Sequence, residues 1–212
     1  MIKQDFRIVT GPIRPGATPV HIYNEGLVVF LYDEAHEARI RDTDPEVIWG
    51  AGADTFEDLT TQELLASGEL LIYGQYGDGG VDVEVVIGLP LTEQELSCGE
   101  WYPPETGYLS LPSGRLCVHS YNTLPMGDND DDPPDEGAVV EVPPGTYRVT
   151  LYRKNWDEME SAGMVTFDQA REAGIDVYGQ GRVDEVIVLS PAQRAADGTT
   201  NILFRYCLEP EE

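Results

Sequence analysis

Lysine is nearly missing from this sequence of 212 residues, and basic residues of either kind are few. The chain has 13 Lys and Arg against 39 Asp and Glu, so its formal net charge is −26. Lys3 and Lys154 are the two lysines, and no basic residue lies between Arg41 and Arg115. Such a surface repels phosphate groups, which disfavours direct binding to nucleic acid or to anionic membranes. It attracts cationic partners instead.

Long apolar runs are also missing, since no stretch approaches the roughly 18 consecutive apolar residues of a membrane span. The first five residues lead into a polar alternation and not into an apolar signal core. Cys98, Cys117 and Cys207 are odd in number and have no paired spacing, which disfavours a disulfide framework or a zinc site. We therefore predict a cytoplasmic protein with reduced thiols, and the preference for Arg over Lys indicates a prokaryotic, GC-rich or salt-loving host.

Motifs of known catalytic sites are not found. There is no nucleophile elbow, phosphate-binding glycine loop or dinucleotide fingerprint. Cys117 and His119 share one face of a predicted strand, but positions i and i+2 lie roughly 6 to 7 Å apart, too far for a nucleophile and its base. We assign no catalytic residue, and the sequence favours a protein that is not an enzyme.

Short runs of β-branched and aromatic residues, separated by Gly, Pro, Asn and Asp, dominate the chain. This pattern is typical of antiparallel strands. Tyr147, Val149 and Leu151 alternate with Arg148, Thr150 and Tyr152, which predicts one buried and one wet face. The sequence therefore predicts a mainly β protein, an antiparallel β-sandwich with one or two short helices. Strands are predicted over residues 6–9, 20–23, 27–32, 69–76, 81–87, 115–121, 139–142, 146–153, 183–189 and 201–207.

Helices are predicted over residues 60–67, where Thr60 and Glu63 have the capping-box spacing, and over 167–173, with a single turn at 91–96. Residues 76–81 contain Asp-Gly and Gly-Gly and predict a hairpin between two strands. We predict one domain over residues 1–212, with a C-terminal extension over 156–212 as the alternative.

The acidic segment 127–137 reads GDNDDDPPDEG and predicts a loop. Asp128, Asp130 and Asp132 alternate as at the start of a calcium-binding loop. The sixth position is Pro133 in place of the required Gly, and the twelfth is Val139 in place of the bidentate Glu. We therefore predict no cofactor, with weak Ca²⁺ binding by these three aspartates as the alternative.

An aromatic pair beside two prolines stands out as a contact site for a protein partner. Trp101 and Tyr102 precede Pro103 and Pro104, and rigid aromatic anchors of this kind occur at interface centres. Neighbouring carboxylates would meet the cationic groups of a partner. The predicted partner-binding residues are Trp101, Tyr102, Asp78, Asp82, Glu84, Glu100 and Glu105.

Several landmarks follow each other in an order that is similar to a known family. They are a strand at His21-Ile22-Tyr23, a strand at 27–32, Trp49 after an acidic linker, a hairpin, a strand led by Gly114, and Val142-Pro143-Pro144-Gly145-Thr146-Tyr147-Arg148-Val149. Over roughly residues 21–153 this order resembles the ComJ-type competence-associated nuclease inhibitors of bacteria, in which a Pro-x-Gly-x-Tyr turn launches a late strand. The resemblance implies an inhibitor that blocks a nuclease by protein contact.

Three functions fit these observations. The first is a non-enzymatic acidic interaction protein, an inhibitor or immunity protein for a basic nuclease or toxin. The second is a β-sandwich that binds carbohydrate or cations, or a hydrolase, which uses clustered carboxylates. The third is a protein of another role whose acidity is an adaptation to high salt, because carboxylates keep any protein hydrated.

Overall fold

The structure, a computed structural model, describes residues 15–24, 28–41, 59–75, 79–97, 101–120, 138–161, 183–193 and 201–204. The predicted strand at 6–9 and helix at 167–173 lie outside these ranges. The described strands are β1 (Thr18–Asn24), β2 (Val28–Asp33), β3 (Leu70–Gly74), β4 (Gly79–Ile87), β5 (Glu105–Leu111), β6 (Arg115–Ser120), β7 (Ala138–Glu141), β8 (Gly145–Arg153), β9 (Glu185–Pro191) and β10 (Ile202–Leu203).

The strands form two five-stranded sheets. The first sheet has the order β1-β4-β9-β8-β5, and the second has the order β10-β3-β2-β6-β7. Their facing sides share the central core, which includes Val83, Leu109, Val149, Leu31 and Val118. The predicted β-sandwich architecture is confirmed.

The pairing is mixed, which corrects the expectation of purely antiparallel sheets. β4 pairs with β9 in parallel, and β10 pairs with β3 in parallel, whereas the other pairs are antiparallel. β9 and β10 come late in the chain and pair with strands that come much earlier in it. Alternation within one strand carries no information on the direction of its neighbour.

The predicted hairpin at 76–81 is wrong, because β3 and β4 belong to different sheets. Residues 76–78 are outside the described ranges, and Gly79 and Gly80 are already part of β4. A Cβ at Gly80 would lie 2.8 Å from Cε1 of His21 on the paired strand, so the exposed His21 ring would have to move. One of the glycines that suggested a tight turn, Gly80, thus lies beside the His21 ring within a strand.

β5 was not predicted. Two prolines precede it and Gly107 interrupts its apolar alternation, so the sequence favours a loop. Gly107 faces the core, where a Cβ would approach Cδ1 of Leu71 to 2.6 Å, and Leu109 and Leu111 continue that buried side. The strand therefore forms by pairing with β8 and by close contact between the two sheets.

Helices cover both outer faces. A 3₁₀ turn (Glu34–His36) leads into α1 (Glu37–Arg41), and α2 (Leu59–Ser67) precedes β3. Ile40, Leu64 and Leu65 pack with Phe30 and Ile72 on the outside of the second sheet. α3 (Glu93–Leu96) and α4 (Trp156–Ser161) lie beside the first sheet, as described below. None of the described helices has the length and apolarity that a membrane span requires.

Candidate partner-binding surface

A line of polar and aromatic residues crosses the outer face of the first sheet. His21 of β1 is paired with Asp82 of β4. The backbone N–H of Asp184 donates to Asp82 (2.8 Å), that of Lys154 donates to Asp184 (2.9 Å), and Lys154 bridges to Trp101. We call His21, Asp82, Asp184, Lys154 and Trp101 the polar row.

Hydrogen bonds connect the side chains of the polar row. Nδ1 of His21 lies 2.8 Å from Oδ1 of Asp82. Asp184 accepts from the backbone N–H of Asp82 (2.9 Å) and from Nε1–H of Trp156 (2.7 Å). Asp184 is buried, whereas the His21 side chain is 59% exposed. The row therefore runs from an exposed histidine, through the partly buried carboxylate of Asp82, to the buried and hydrogen-bonded Asp184.

Lys154 is held between two tryptophan rings. Its Nζ is 5.3 Å from the ring centre of Trp101 and 5.2 Å from that of Trp156, and the residue is buried. Such cation–π contacts stabilise a desolvated ammonium group. Lys154 consequently adds no exposed positive charge to this face, and Trp101 serves to cover it.

The segment 88–97, which we call the capped segment, lies over the same face. Thr92 and Glu95 form a capping box: the Glu95 carboxylate accepts from the Thr92 N–H (2.7 Å), and the Thr92 hydroxyl accepts from the Glu95 N–H (3.3 Å). Leu91 and Leu96 pack on Val86, Val186 and Val188 in a third core cluster. The buried side and the cap fix the segment in place.

Large apolar side chains remain exposed beside the capped segment. Leu89 is 79% exposed, and Ile87 at the end of β4 is 42% exposed. Glu93 projects from α3 into solvent. The surface thus combines apolar groups with carboxylates on a rigid support, which is the arrangement expected at an interface.

Charge is distributed differently on the two sheets. On the second sheet Arg39 pairs with Glu69, Arg41 with Glu37 (2.7 Å) and Arg115 with Glu34. On the first sheet, Asp82 and Glu93 make no ion pair with any Lys or Arg of the described ranges. Among the described residues, Asp82 therefore has His21 as its basic partner, and the exposed Glu93 has no ion pair.

The predicted partner-binding residues fall in several places. Asp82 and Trp101 belong to the polar row, and Glu84 lies next to it with a buried side chain. Tyr102 is half-buried and packs against the central core, and Glu105 accepts a hydrogen bond from the Phe204 N–H (2.8 Å). Asp78 and Glu100 lie outside the described ranges, as do Asp128, Asp130 and Asp132. The partner-binding role of these residues remains a prediction.

An ion pair that the sequence did not suggest lies inside the sandwich at the same end of β8. Nε of Arg153 donates to Oε1 of Glu185 (2.8 Å), which also accepts from Nε2 of Gln75 (2.9 Å). The guanidinium lies 4.3 Å from the ring centre of Phe204 and also donates to the Gly74 carbonyl. Burial raises the pKa of Glu185, although Arg153 opposes this shift.

Arg153 and Lys154 thus face opposite sides of the sheet, and so do Glu185 and Asp184 across from them. The signal in the sequence is an Arg-Lys pair at the end of one strand and an Asp-Glu pair at the start of another. A charged dipeptide at a strand end is usually solvated. The buried ion pair can therefore be recognised only when the register of the two strands is known.

Cys117 is not an activated nucleophile. Its side chain is buried on the outer face of the second sheet, under α1 and α2. Burial, and next to it the charge of Glu34, raises the pKa of the thiol to about 12. Cys117 is therefore a neutral thiol at physiological pH and packs as an apolar side chain.

Two solved structures are similar to this chain. One is described as "Crocagin biosynthetic gene J", with 20% identity and a TM-score of 0.46, covering 84% of this chain and 97% of its own. The other is ComJ from Bacillus subtilis, an inhibitor of the DNA degrading activity of NucA, with 10% identity and a TM-score of 0.44, covering 82% of this chain and 96% of its own. The predicted resemblance to ComJ-type proteins is confirmed as a distant structural similarity. No protein-family model and no curated protein matches the chain.

Proposed function

We propose that this chain is a non-enzymatic, cytoplasmic interaction protein that binds a basic protein, and that it acts as an inhibitor or immunity protein for a nuclease or toxin. The observation that carries the proposal is the pair of exposed apolar side chains Ile87 and Leu89 at the end of β4, followed closely in the chain by the exposed Glu93 of α3. We call this surface the acidic-apolar surface.

Its chemistry suits a cationic partner. A net charge of −26 speeds the approach of a basic protein at low salt, and exposed carboxylates orient it. Apolar groups supply the short-range contact, because charge pairs at an exposed rim contribute little affinity. A nuclease is the first partner class to test, because residues 21–153 resemble the ComJ-type inhibitors.

The test is capture from the host lysate on the immobilised protein, followed by elution with a salt gradient. We expect a basic protein that is released by about 0.5 M NaCl, where charges are screened beyond roughly 4 Å. The eluate should degrade DNA or inhibit growth, and the added protein should suppress that activity. Recovery of only acidic or neutral proteins would contradict the proposal.

A matched pair of variants locates the surface. Leu89→Arg should lower the recovery of the partner at least tenfold, because it places a positive charge in the apolar centre. Leu59→Arg changes a residue of similar exposure, 71%, at the start of α2 on the other side of the molecule, and should leave recovery unchanged. Equal loss in both variants would show that total charge, and not this surface, determines binding.

Weak Ca²⁺ binding by Asp128, Asp130 and Asp132 is a separate proposal that rests on their alternation in the sequence. It predicts that millimolar CaCl₂ raises the melting temperature of the protein, since a ligand that binds only the folded state stabilises it. The variant with all three aspartates changed to Asn should lose this shift. No shift in the unmodified protein would remove the proposal.

A further inference from the structure

Arg148 is unlike the other basic residues of the described ranges. Arg39, Arg41, Arg115 and Arg153 each pair with a carboxylate, and Lys154 is buried between tryptophan rings. Arg148 is exposed, lies in the middle of β8, and has no carboxylate partner among the described residues. Although the chain has three acids for every base, neither cross-strand neighbour of Arg148 is acidic.

Hydroxyl groups surround Arg148 on the outer face of the first sheet. Its cross-strand neighbours are Tyr108 on β5 and Ser190 on β9. Residues two positions away along β8 and β5 share this face, because the residues between them point into the central core. The hydroxyl-bearing residues of this group are Thr106, Tyr108, Ser110, Thr146, Thr150 and Ser190.

This hydroxyl face borders the acidic-apolar surface. The Ser190 hydroxyl donates to the Gly88 carbonyl (2.8 Å), and the Gly88 N–H donates to the Leu189 carbonyl (3.1 Å). Gly88 separates Ile87 from Leu89, so the apolar pair lies next to the position across from Arg148. The apolar pair is therefore linked through Gly88 and Ser190 to the position of Arg148, and Glu93 follows the pair in the chain.

We propose that the hydroxyl face around Arg148 receives an acidic side chain of the basic partner and so fixes its orientation. This inference rests on the proposed function. A guanidinium offers paired donors that fit a carboxylate, and the partly exposed hydroxyls of Tyr108, Ser110 and Thr146 provide further donors. A free anion is repelled by the net charge of −26, whereas a carboxylate carried on a basic protein is delivered by the attraction of the whole molecule.

Two model peptides test the inference by NMR of the ¹⁵N-labelled protein. One is Lys-Lys-Gly-Asp-Gly-Lys-Lys, and the other has Asn in place of Asp. Both should shift the amide signals of the capped segment, because both are cationic. Only the first should shift Nε–H of Arg148 and the amide of Tyr108, and its Kd should be about 3-fold lower, as is typical of an exposed ion pair.

Variants provide the control. Arg148→Gln should give both peptides the same Kd, whereas Arg41→Gln, which breaks an exposed pair on the second sheet, should preserve the difference. Equal Kd values and an unshifted Arg148 in the unmodified protein would overturn this inference and leave the proposed function intact. The failure of both peptides to shift any signal of the capped segment would contradict the proposed function itself.

Discussion

The charge of the Glu185 carboxylate is balanced by Arg153. Its side chain is 1% exposed and that of Arg153 is 6% exposed, so each charge is compensated inside the protein. Removing one partner of a buried pair leaves an uncompensated charge, which is far more costly than removing both. The pair therefore makes the structure at this end of β8 sensitive to single substitutions.

Arg153→Met should lower the free energy of unfolding by about 3 kcal/mol at pH 8. Burial raises the pKa of Glu185 above its value in the unfolded chain, so protonation favours the folded state. The stability that this group contributes is present at low pH and is lost as the pH rises through the raised pKa. The deficit of the variant should therefore shrink between pH 8 and pH 5, as measured by urea unfolding.

The double variant Arg153→Met/Glu185→Leu is the control. It removes both charges, so its deficit should be smaller and should not change with pH. A deficit of Arg153→Met that is the same at pH 5 and pH 8 would show that the lost packing on Phe204, and not the charge of Glu185, is responsible.

Asn201 joins the two sheets with one side chain. Its Nδ2 donates to the carbonyls of Tyr108 (2.7 Å), Leu65 (3.1 Å) and Leu70 (3.1 Å), and its Oδ1 accepts from the Tyr108 N–H (2.9 Å). It thereby satisfies backbone groups at the edge of β5 that no strand pairs with in the described part of the chain. Nothing in the sequence distinguishes this residue from an ordinary loop asparagine.

Asn201→Asp should lower the free energy of unfolding by about 3 kcal/mol at pH 7, because a carboxylate would face three carbonyl oxygens in a buried site. Asn155→Asp is the matched control. Asn155 accepts from the Glu158 N–H at the start of α4, where Asp caps a helix equally well. Thermal unfolding of both variants checks this, and equal stability would contradict the role of Asn201.

At the scale of elements, the sheets approach each other most closely where β5 passes β3. Gly107→Ala should cost about 2 kcal/mol of unfolding free energy, because the added Cβ would lie 2.6 Å from Leu71 Cδ1 and 3.0 Å from Asn201 Oδ1. Gly145→Ala has its nearest neighbour at 3.8 Å and should change stability by less than about 0.5 kcal/mol. Urea unfolding compares the two, and a neutral Gly107→Ala would show that the sheets can separate.

The capped segment offers a second test at this scale. Thr92→Ala should lose about 1 kcal/mol locally, because it removes the hydroxyl of the capping box, whereas Thr92→Ser should preserve it. Hydrogen exchange at the amides of Glu95 and Leu96 should accelerate about fivefold in the alanine variant. Unchanged exchange would mean that the packing of Leu91 alone holds the segment.

Elements with strong alternation could be predicted from the sequence, and elements defined by distant contacts could not. β4 and β8 were located within two residues because their own residues alternate. β5 was missed because Gly107 lies against Leu71 of the other sheet, and the sequence does not show this contact. The hairpin was wrong because Gly80 lies within β4 beside His21 and not in a turn. The capping box was predicted at Thr60, where no cap is described, and missed at Thr92, within a single predicted turn.

The candidate surface could be predicted only in part for the same reason. Trp101 and Asp82 were singled out by residue type alone. The neighbours of Asp82 are far away in the chain: Asp184 is 102 positions from it, and His21 is 61 positions from it. Glu84 has the same type as the exposed acids, and only the packing of the sheet shows that it is buried.

At the scale of the whole molecule, the net charge of −26 has two competing explanations. If the negative charge serves to attract a basic partner, the protein should be fully folded at about 0.05 M NaCl. Its stability should then rise only modestly as salt screens the repulsion among its own carboxylates. If it is an adaptation to high salt, the protein should lose its structure at low salt. Circular dichroism between 0.05 and 2 M KCl separates these outcomes, and unfolding at the lower end would contradict our proposal.

The position of β9 has a consequence for how the protein is made. It occupies the middle of the first sheet, between β4 and β8, yet it begins only at residue 185. A ribosome that has released the preceding residues has therefore produced β4 and β8 without the strand that joins them. The nascent chain carries two unpaired inner edges until residues 185–191 emerge, and such edges promote aggregation. Repulsion between the carboxylates of neighbouring nascent chains then protects the incomplete sheet from aggregation.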